Sequence, residues 1–88
     1  MENRAWTVAE LEKLGFSTLP SSANFIFTVS GRIDGKTLYQ KLKERGVLIR
    51  HFDKPGIDAY SRITIGTREQ MDILLDNIRE ILKEIEEV

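Results

Sequence analysis

The sequence contains no cysteine and only one histidine in its 88 residues. Without cysteine there is no disulfide framework, no thiolate nucleophile and no cysteine-ligated zinc, which excludes a disulfide-stapled secreted scaffold. No apolar run approaches the roughly 18 residues of a membrane-spanning helix, and no apolar signal core follows the N-terminus. We therefore expect a cytoplasmic protein with no membrane partner.

An excess of charge of one sign is also lacking. Thirteen lysine and arginine residues oppose fourteen aspartate and glutamate residues, for a net charge of -1. This balance provides no general attraction to nucleic acid, so we expect no nucleic-acid partner, and charge-based recognition must be local. The length and the 41% hydrophobic content predict a single domain, residues 1–88, with one core.

The spacing of apolar and turn-forming residues predicts the order helix, strand, helix, strand, strand, helix. Two sequences have the form of a capping box: Thr7 with Glu10, and Thr67 with Gln70. The predicted ranges are a helix over 7–14, an extended segment over 17–20, a strand over 24–29, a helix over 36–45, strands over 47–50 and 60–65, and a long helix from 67. That last helix has apolar residues at near-ideal spacing, namely Met71, Leu74, Leu75, Ile78, Leu82 and Ile85.

These elements predict an α/β fold of the α+β two-layer sandwich type. Three helices would pack on one face of a small, mostly antiparallel sheet of three to four strands. Phe16, Trp6 and several strand residues are expected to leave the second face of the sheet partly apolar. In a lone domain such a face would favour a partner.

Several motifs that could carry chemistry are incomplete. Gly31 and Gly35 flank three residues where a phosphate-binding P-loop needs four, so we interpret this segment as a polar turn in which Asp34 caps the next helix. His51 lies near Asp53 and Asp58, but a lone histidine in a Pro-Gly loop is typical of a solvated residue. No serine lies in a nucleophile elbow. We expect no metal ligands and no catalytic residues.

Two arginines stand out because each adjoins an apolar strand where a long cation has no packing role. Arg50 ends one predicted strand, Arg62 begins the apolar part of the next, and the loop containing Pro55 and Gly56 would bring the two strands together. Converging guanidinium groups suit bidentate binding of a carboxylate or phosphate. Alternatively, each arginine pairs with a surface carboxylate. Asn24, at the head of an apolar strand, is a third candidate, for which holding the neighbouring loop is the favoured role.

Four segments form a recognisable pattern in order and spacing, followed by the long final helix: Leu14-Gly15-Phe16, Pro20-Ser21-Ser22-Ala23-Asn24-Phe25, Gly46-Val47-Leu48-Ile49-Arg50 and Arg62-Ile63-Thr64-Ile65-Gly66-Thr67. Together they resemble the C-terminal small domain of the histidinol-phosphate aminotransferase family, within class I and II of the pyridoxal-phosphate-dependent aminotransferases. Related amino-acid aminotransferases and a phosphothreonine decarboxylase branch share much of this pattern.

The resemblance implies a role for each arginine. Arg62 matches the family arginine that binds the substrate α-carboxylate, and Arg50 matches the arginine that contacts the substrate phosphate in the histidinol-phosphate branch. Asn24 joins them as a candidate for substrate binding. The partners implied are a small-molecule substrate, a large domain and, in the whole enzyme of histidine biosynthesis, a second subunit of a homodimer.

The cofactor implied for that parent enzyme is pyridoxal phosphate, held by a large domain that this chain lacks. None of the lysines here matches the family's Schiff-base lysine, so we expect no cofactor-binding residues and no transaminase activity in the isolated chain. A different hypothesis is a stand-alone module that binds small anions or senses an acidic metabolite through the same arginines.

Overall fold

The computed structural model describes residues 3–19, 24–52, 54, 56–57 and 59–86. These residues form three helices and four strands, in the order α1 (Asn3–Lys13), β1 (Phe16–Thr18), β2 (Phe25–Ser30), α2 (Gly35–Glu44), β3 (Arg50–His51), β4 (Ser61–Thr64) and α3 (Arg68–Glu86). The strands make one sheet in the order β1-β2-β4-β3, and all neighbouring strands are antiparallel. The predicted two-layer α+β fold is confirmed.

The strand predicted over 47–50 is wrong in its extent. Only Arg50 and His51 pair with β4, while residues 47–49 have no regular structure. Ile49 is buried in the core at 7% exposure, whereas Leu48 is 74% exposed, and neither residue pairs with β4. The extended segment predicted over 17–20 contains a true edge strand, β1, which pairs with β2.

The start of α1 also differs from its prediction. The helix begins at Asn3, and Thr7 is a buried residue inside it whose hydroxyl donates a hydrogen bond to the Asn3 carbonyl (2.7 Å). Glu10, expected to close a capping box, pairs with Lys13 (2.8 Å) and with Arg79 of α3 (3.1 Å). The predicted capping box at Thr7 is therefore absent.

Caps fix the starts of the other two helices as predicted. Asp34 accepts a hydrogen bond from the Thr37 amide (2.7 Å), which holds the pKa of Asp34 below its usual value. Before α3, the Thr67 amide donates to Gln70 Oε1 (2.9 Å) and the Gln70 amide donates to Thr67 Oγ1 (3.1 Å). This reciprocal pair is a complete capping box, and it places the loop after β4 directly at the head of α3.

The hydrophobic core lies between the helices and the sheet face that they cover. Phe16 is 4% exposed within it, because the register of β1 sets Phe16 opposite the buried Ser30. Trp6 packs against the same core from α1. The expectation that these two residues line the second sheet face is wrong, whereas the expectation that strand residues leave that face partly apolar is confirmed by Phe25, Phe27 and Val29. Side chains that are 0% exposed include those of Leu11, Ile26, Leu42, Leu75, Ile78 and Ile81.

The second face of the sheet is formed by alternate residues of the strands. Burial alternates along β2 and β4, so that Ile26 and Ile63 point to the core while their neighbours point away from it. We refer to this second surface as the open face; it carries Phe25, Phe27, Val29, Arg50, Arg62 and Thr64. Within the described residues, no helix has the length and apolar character to cross a membrane.

Candidate anion-binding site

The two arginines singled out in the sequence are direct cross-strand partners. In the register of β3 and β4, Arg50 lies opposite Arg62, and His51 lies opposite Ser61. Opposed residues of antiparallel strands project to the same face with Cβ atoms about 4.5–5.5 Å apart. The predicted pairing of the two arginine-bearing strands is therefore confirmed, and both arginines project from the same face of the sheet.

The two arginines differ in how firmly the sheet holds them. Arg62 lies on β4, which pairs with β2 on one side and β3 on the other, and its side chain is half-buried. Arg50 lies on the short edge strand β3 and is exposed. The site thus combines a fixed cation with a more mobile one.

Neither arginine side chain has a hydrogen-bond or ion-pair partner among the residues that the structure describes. Other arginines of the chain do: Arg45 binds Glu80 (2.7 Å) and Glu84, and Arg79 binds Asp76 (2.9 Å). Like charges directly opposite one another destabilise a strand pair. In the described region, no carboxylate offsets this repulsion at Arg50 and Arg62, and the arrangement favours an anion from outside the chain.

A surface cavity of about 250 Å³ adjoins the arginine pair. Two lining residues, Tyr39 and Thr64, add hydroxyl groups that can donate to an anion. Both were missed by the sequence analysis. Thr64 could have been found, because it lies two residues after Arg62 on the same face of a predicted strand, whereas the position of Tyr39 depends on how α2 packs at the edge of the sheet. The cavity is lined by Tyr39, Leu48, Ile49, Arg50, Arg62 and Thr64.

Aromatic rings surround Arg62 on the open face. The guanidinium carbon of Arg62 lies 5.2 Å from the centroid of the Phe25 ring. That ring meets Phe27 edge-on at 5.3 Å, and Phe27 stacks on Phe52 at 5.8 Å. This apolar surface lowers the local dielectric and strengthens the attraction between Arg62 and an anion.

Asn24 lies apart from the arginine pair. It precedes β2, its backbone carbonyl accepts a hydrogen bond from the Ile65 amide (2.8 Å), and its side chain is exposed. Phe27 is the partner of Arg62 on β2, so Asn24 lies three residues further along, or about 10 Å. The backbone contact joins the ends of two strands.

His51 belongs to β3 and not to the loop in which it was predicted. Its ring is half-buried and lies 4.5 Å from the ring of Tyr39. Asp53 and Asp58, considered with it as possible ligands, lie outside the described residues. Among the residues that the structure does describe, no group of three or more histidine, aspartate or glutamate side chains is arranged to hold a metal ion.

The lysines do not fit the role of holding an aldehyde cofactor. A Schiff-base lysine works in a pocket shielded from water. All six lysines of the chain are exposed or half-exposed, and Lys13 is engaged with Glu10. Among the described residues, the arginine pair offers donors suited to an anion, and no lysine lies in a shielded pocket of the kind that Schiff-base chemistry needs.

The sequence matches a known family over most of its length. The family model described as "Aminotransferase class I and II" matches residues 1–78. A histidinol-phosphate aminotransferase of Clostridium beijerinckii is 49% identical over 93% of this chain and 23% of its own length. One from Clostridium botulinum is 42% identical over 97% of this chain and 24% of its own length.

Structural comparison gives the same fold. The crystal structure of the histidinol-phosphate aminotransferase from Clostridium acetobutylicum matches 93% of this chain and 26% of its own, with a TM-score of 0.84 at 24% identity. The chain spans about a quarter of the length of the relatives that it matches. The match over residues 1–78 and these relatives show that the chain belongs to the class I and II aminotransferase family.

Proposed function

We propose that residues 1–88 are the small, substrate-binding domain of a pyridoxal-phosphate-dependent aminotransferase that acts on histidinol phosphate. The observation that carries the proposal is the register that sets Arg50 opposite Arg62, with no carboxylate on either among the described residues. Family membership and the two relatives above 40% identity support it. Each of these two relatives is named as a histidinol-phosphate aminotransferase.

The two arginines suit different anions. Arg62 is half-buried on a central strand, so its planar fork of donors has a restricted orientation, which suits a planar carboxylate. Arg50 is exposed on an edge strand and can adapt to a tetrahedral phosphate. Histidinol phosphate carries a phosphate and no carboxylate, so we assign its phosphate to the arginine pair, with Arg50 as the adaptable partner. The α-carboxylate assigned to Arg62 would be that of the amino-acid or 2-oxo-acid co-substrate. Asn24 would contact only a ligand that extends about 10 Å from Arg62.

The chemistry of transamination would be supplied by pyridoxal phosphate, which acts as an electron sink when bound. The contribution of this chain would be to bind the anionic groups and thereby orient the reacting amino group, as positioning alone can supply a large part of catalysis. We propose a large domain that carries the cofactor as the partner of this chain. The parent enzyme would be a cytoplasmic homodimer of histidine biosynthesis.

The alternative of a stand-alone anion-binding or regulatory module is not favoured. Relatives match more than nine-tenths of this chain, yet they match it with only about a quarter of their own length. That proportion supports a piece of a larger enzyme.

Titration of the 88-residue chain with histidinol phosphate, followed by amide chemical shifts, tests the anion site. We expect binding at millimolar concentrations or tighter, weakened about tenfold or more by either Arg62→Ala or Arg50→Ala, because each removes charge-assisted hydrogen bonds. Arg79→Ala is the matched control, since Arg79 is engaged with Glu10 and Asp76 on the helical side. Equal affinity in all three variants would refute the site.

The same samples test the assignment of the chemistry to a missing domain. The chain mixed with pyridoxal phosphate, histidinol phosphate and a 2-oxo acid is expected to give no transamination, because no shielded lysine is present among the described residues. Turnover above the rate of the cofactor alone would contradict the proposal.

A further inference from the structure

Among the residues that the structure describes, the side chain of Arg62 is held by packing and not by hydrogen bonds. Its Nε atom is buried and has no hydrogen-bond partner among the described residues. Its guanidinium carbon lies 5.2 Å from the centroid of the Phe25 ring. A cation over an aromatic face is attracted by the ring quadrupole, and a guanidinium also stacks on the ring. The aromatic contact therefore fixes Arg62 without using any of its donors.

The register of the sheet produces this contact. Phe27 is the direct partner of Arg62, and Phe25, the partner of Thr64, lies diagonally across the same strand pair. Diagonal neighbours on one face are within reach of aromatic and long side chains. The Phe25 ring is itself held, since it meets Phe27 edge-on with an interplanar angle of 87°. Arg62 thus packs against a ring whose own orientation is set.

We propose that Phe25 is a positioning residue for Arg62. It holds the guanidinium plane on the open face so that the donors of Arg62 remain unpaired and point toward the side occupied by Arg50. This role rests on the anion site proposed above, and it deepens that proposal by naming the group that pre-organises the site. Pre-organisation raises affinity because less freedom is lost when the ligand binds.

The effect is specific to position 25. Val29 lies on the same strand and the same face, as the other diagonal neighbour of Arg62, two residues beyond Phe27, but it carries no aromatic ring that could attract a cation. Val29→Ala is therefore a matched control that removes apolar surface from the open face without touching the contact. Phe25→Tyr keeps the ring, whereas Phe25→Leu and Phe25→Met keep only apolar bulk.

The experiment uses the ¹⁵N-labelled 88-residue chain and two readouts. The first is the pair of Nη resonances of Arg62 without ligand, which are distinct when rotation about the Nε–Cζ bond is slow and merge when it is fast. The second is the affinity for inorganic phosphate, obtained from the Nε–H resonance of Arg62. Amide spectra of each variant verify that it is folded. Phe25→Leu and Phe25→Met are both made, so that the experiment still has a result if one of the two variants does not fold.

We expect hindered rotation of the Arg62 guanidinium in the wild type, in Phe25→Tyr and in Val29→Ala, and free rotation in Phe25→Leu and Phe25→Met. Phosphate affinity should fall about threefold to tenfold in the aliphatic variants only, a size typical of a cation–aromatic contact. Unchanged rotation and affinity in the aliphatic variants, together with lost binding in Arg62→Ala, would overturn the role of Phe25 and leave the anion site intact. A wild-type protein that does not bind phosphate would overturn both.

Discussion

Replacing Gly66 by alanine tests how the loop after β4 is joined to α3. Gly66 has no positive φ, so its backbone can accommodate alanine without strain. A Cβ atom added there would nevertheless overlap Gln70 Oε1 and lie 3.1 Å from Gln70 Cδ. The glutamine side chain would have to rotate away, and the hydrogen bond that it accepts from the Thr67 amide (2.9 Å) would be lost.

Two opposing contributions set the size of the effect. Loss of the capping hydrogen bond costs about 0.5–2 kcal/mol. Replacement of glycine by alanine at a compatible position stabilises by about 0.4–1 kcal/mol, because the unfolded chain has less freedom to lose. When Gln70 is present, the net effect of Gly66→Ala therefore lies between a gain of about 0.5 kcal/mol and a loss of about 1.6 kcal/mol in stability. When Gln70 is already alanine the clash is absent, and Gly66→Ala should stabilise by the full amount.

The measurement is a double-mutant cycle by urea denaturation of the wild type, Gly66→Ala, Gln70→Ala and the double variant. We expect a coupling free energy of about 1 kcal/mol, which corresponds to a difference of roughly 4–8 °C in Tm for a domain of this size. Gly31→Ala is the control, because a Cβ atom at Gly31 would meet nothing within 4 Å. If Gly66→Ala changes stability equally with and without Gln70, the reasoning is refuted.

Two further predictions concern stability. Asp34→Ala should destabilise the chain by about 1 kcal/mol near neutral pH, because the Thr37 amide loses its acceptor. The pKa of Asp34 is depressed in the folded state. The stability that Asp34 contributes is therefore present above the unfolded pKa of about 3.9 and is lost as the pH falls through the folded value. If Asp34→Ala remains less stable than the wild type in acid, the capping carboxylate is not the cause of the difference. Leu75→Ala should cost about 2–5 kcal/mol, since Leu75 is fully buried, whereas Ile73→Ala on the same helix, 50% exposed, should cost far less. Comparable losses on thermal denaturation would show that the assignment of the helix faces is wrong.

The parts of the fold that sequence predicted well depend on local information. The apolar spacing of α3 and its capping box at Thr67 and Gln70 lie within a few residues of each other, and both are present in the structure. The same local pattern failed at Thr7. There, α1 extends upstream to Asn3, whose side chain donates to the Gly66 carbonyl across 63 residues. A contact between residues so far apart in the sequence cannot be inferred from a motif of a few residues.

The candidate site was predictable to a similar extent. The turn between the arginine-bearing strands is local, so the pairing of Arg50 with Arg62 could be inferred. The surroundings of Arg62 could not, because they depend on the register between β2 and β4, two strands that are separated by α2. One shift of that register would move Phe25 and Phe27 to the core face. The short length of β3 was missed for a related reason, since nothing local in residues 47–49 indicates that they leave the sheet.

The two-residue length of β3 has a consequence for the order in which the site comes apart. An edge strand with so few pairings opens locally at a small free energy, whereas β4, paired on both sides, opens only with the rest of the sheet. An anion bound between Arg50 and Arg62 would link these two regions. Binding of the anion should therefore slow amide hydrogen exchange most strongly in β3, because β3 is the region whose amides are least protected without the anion.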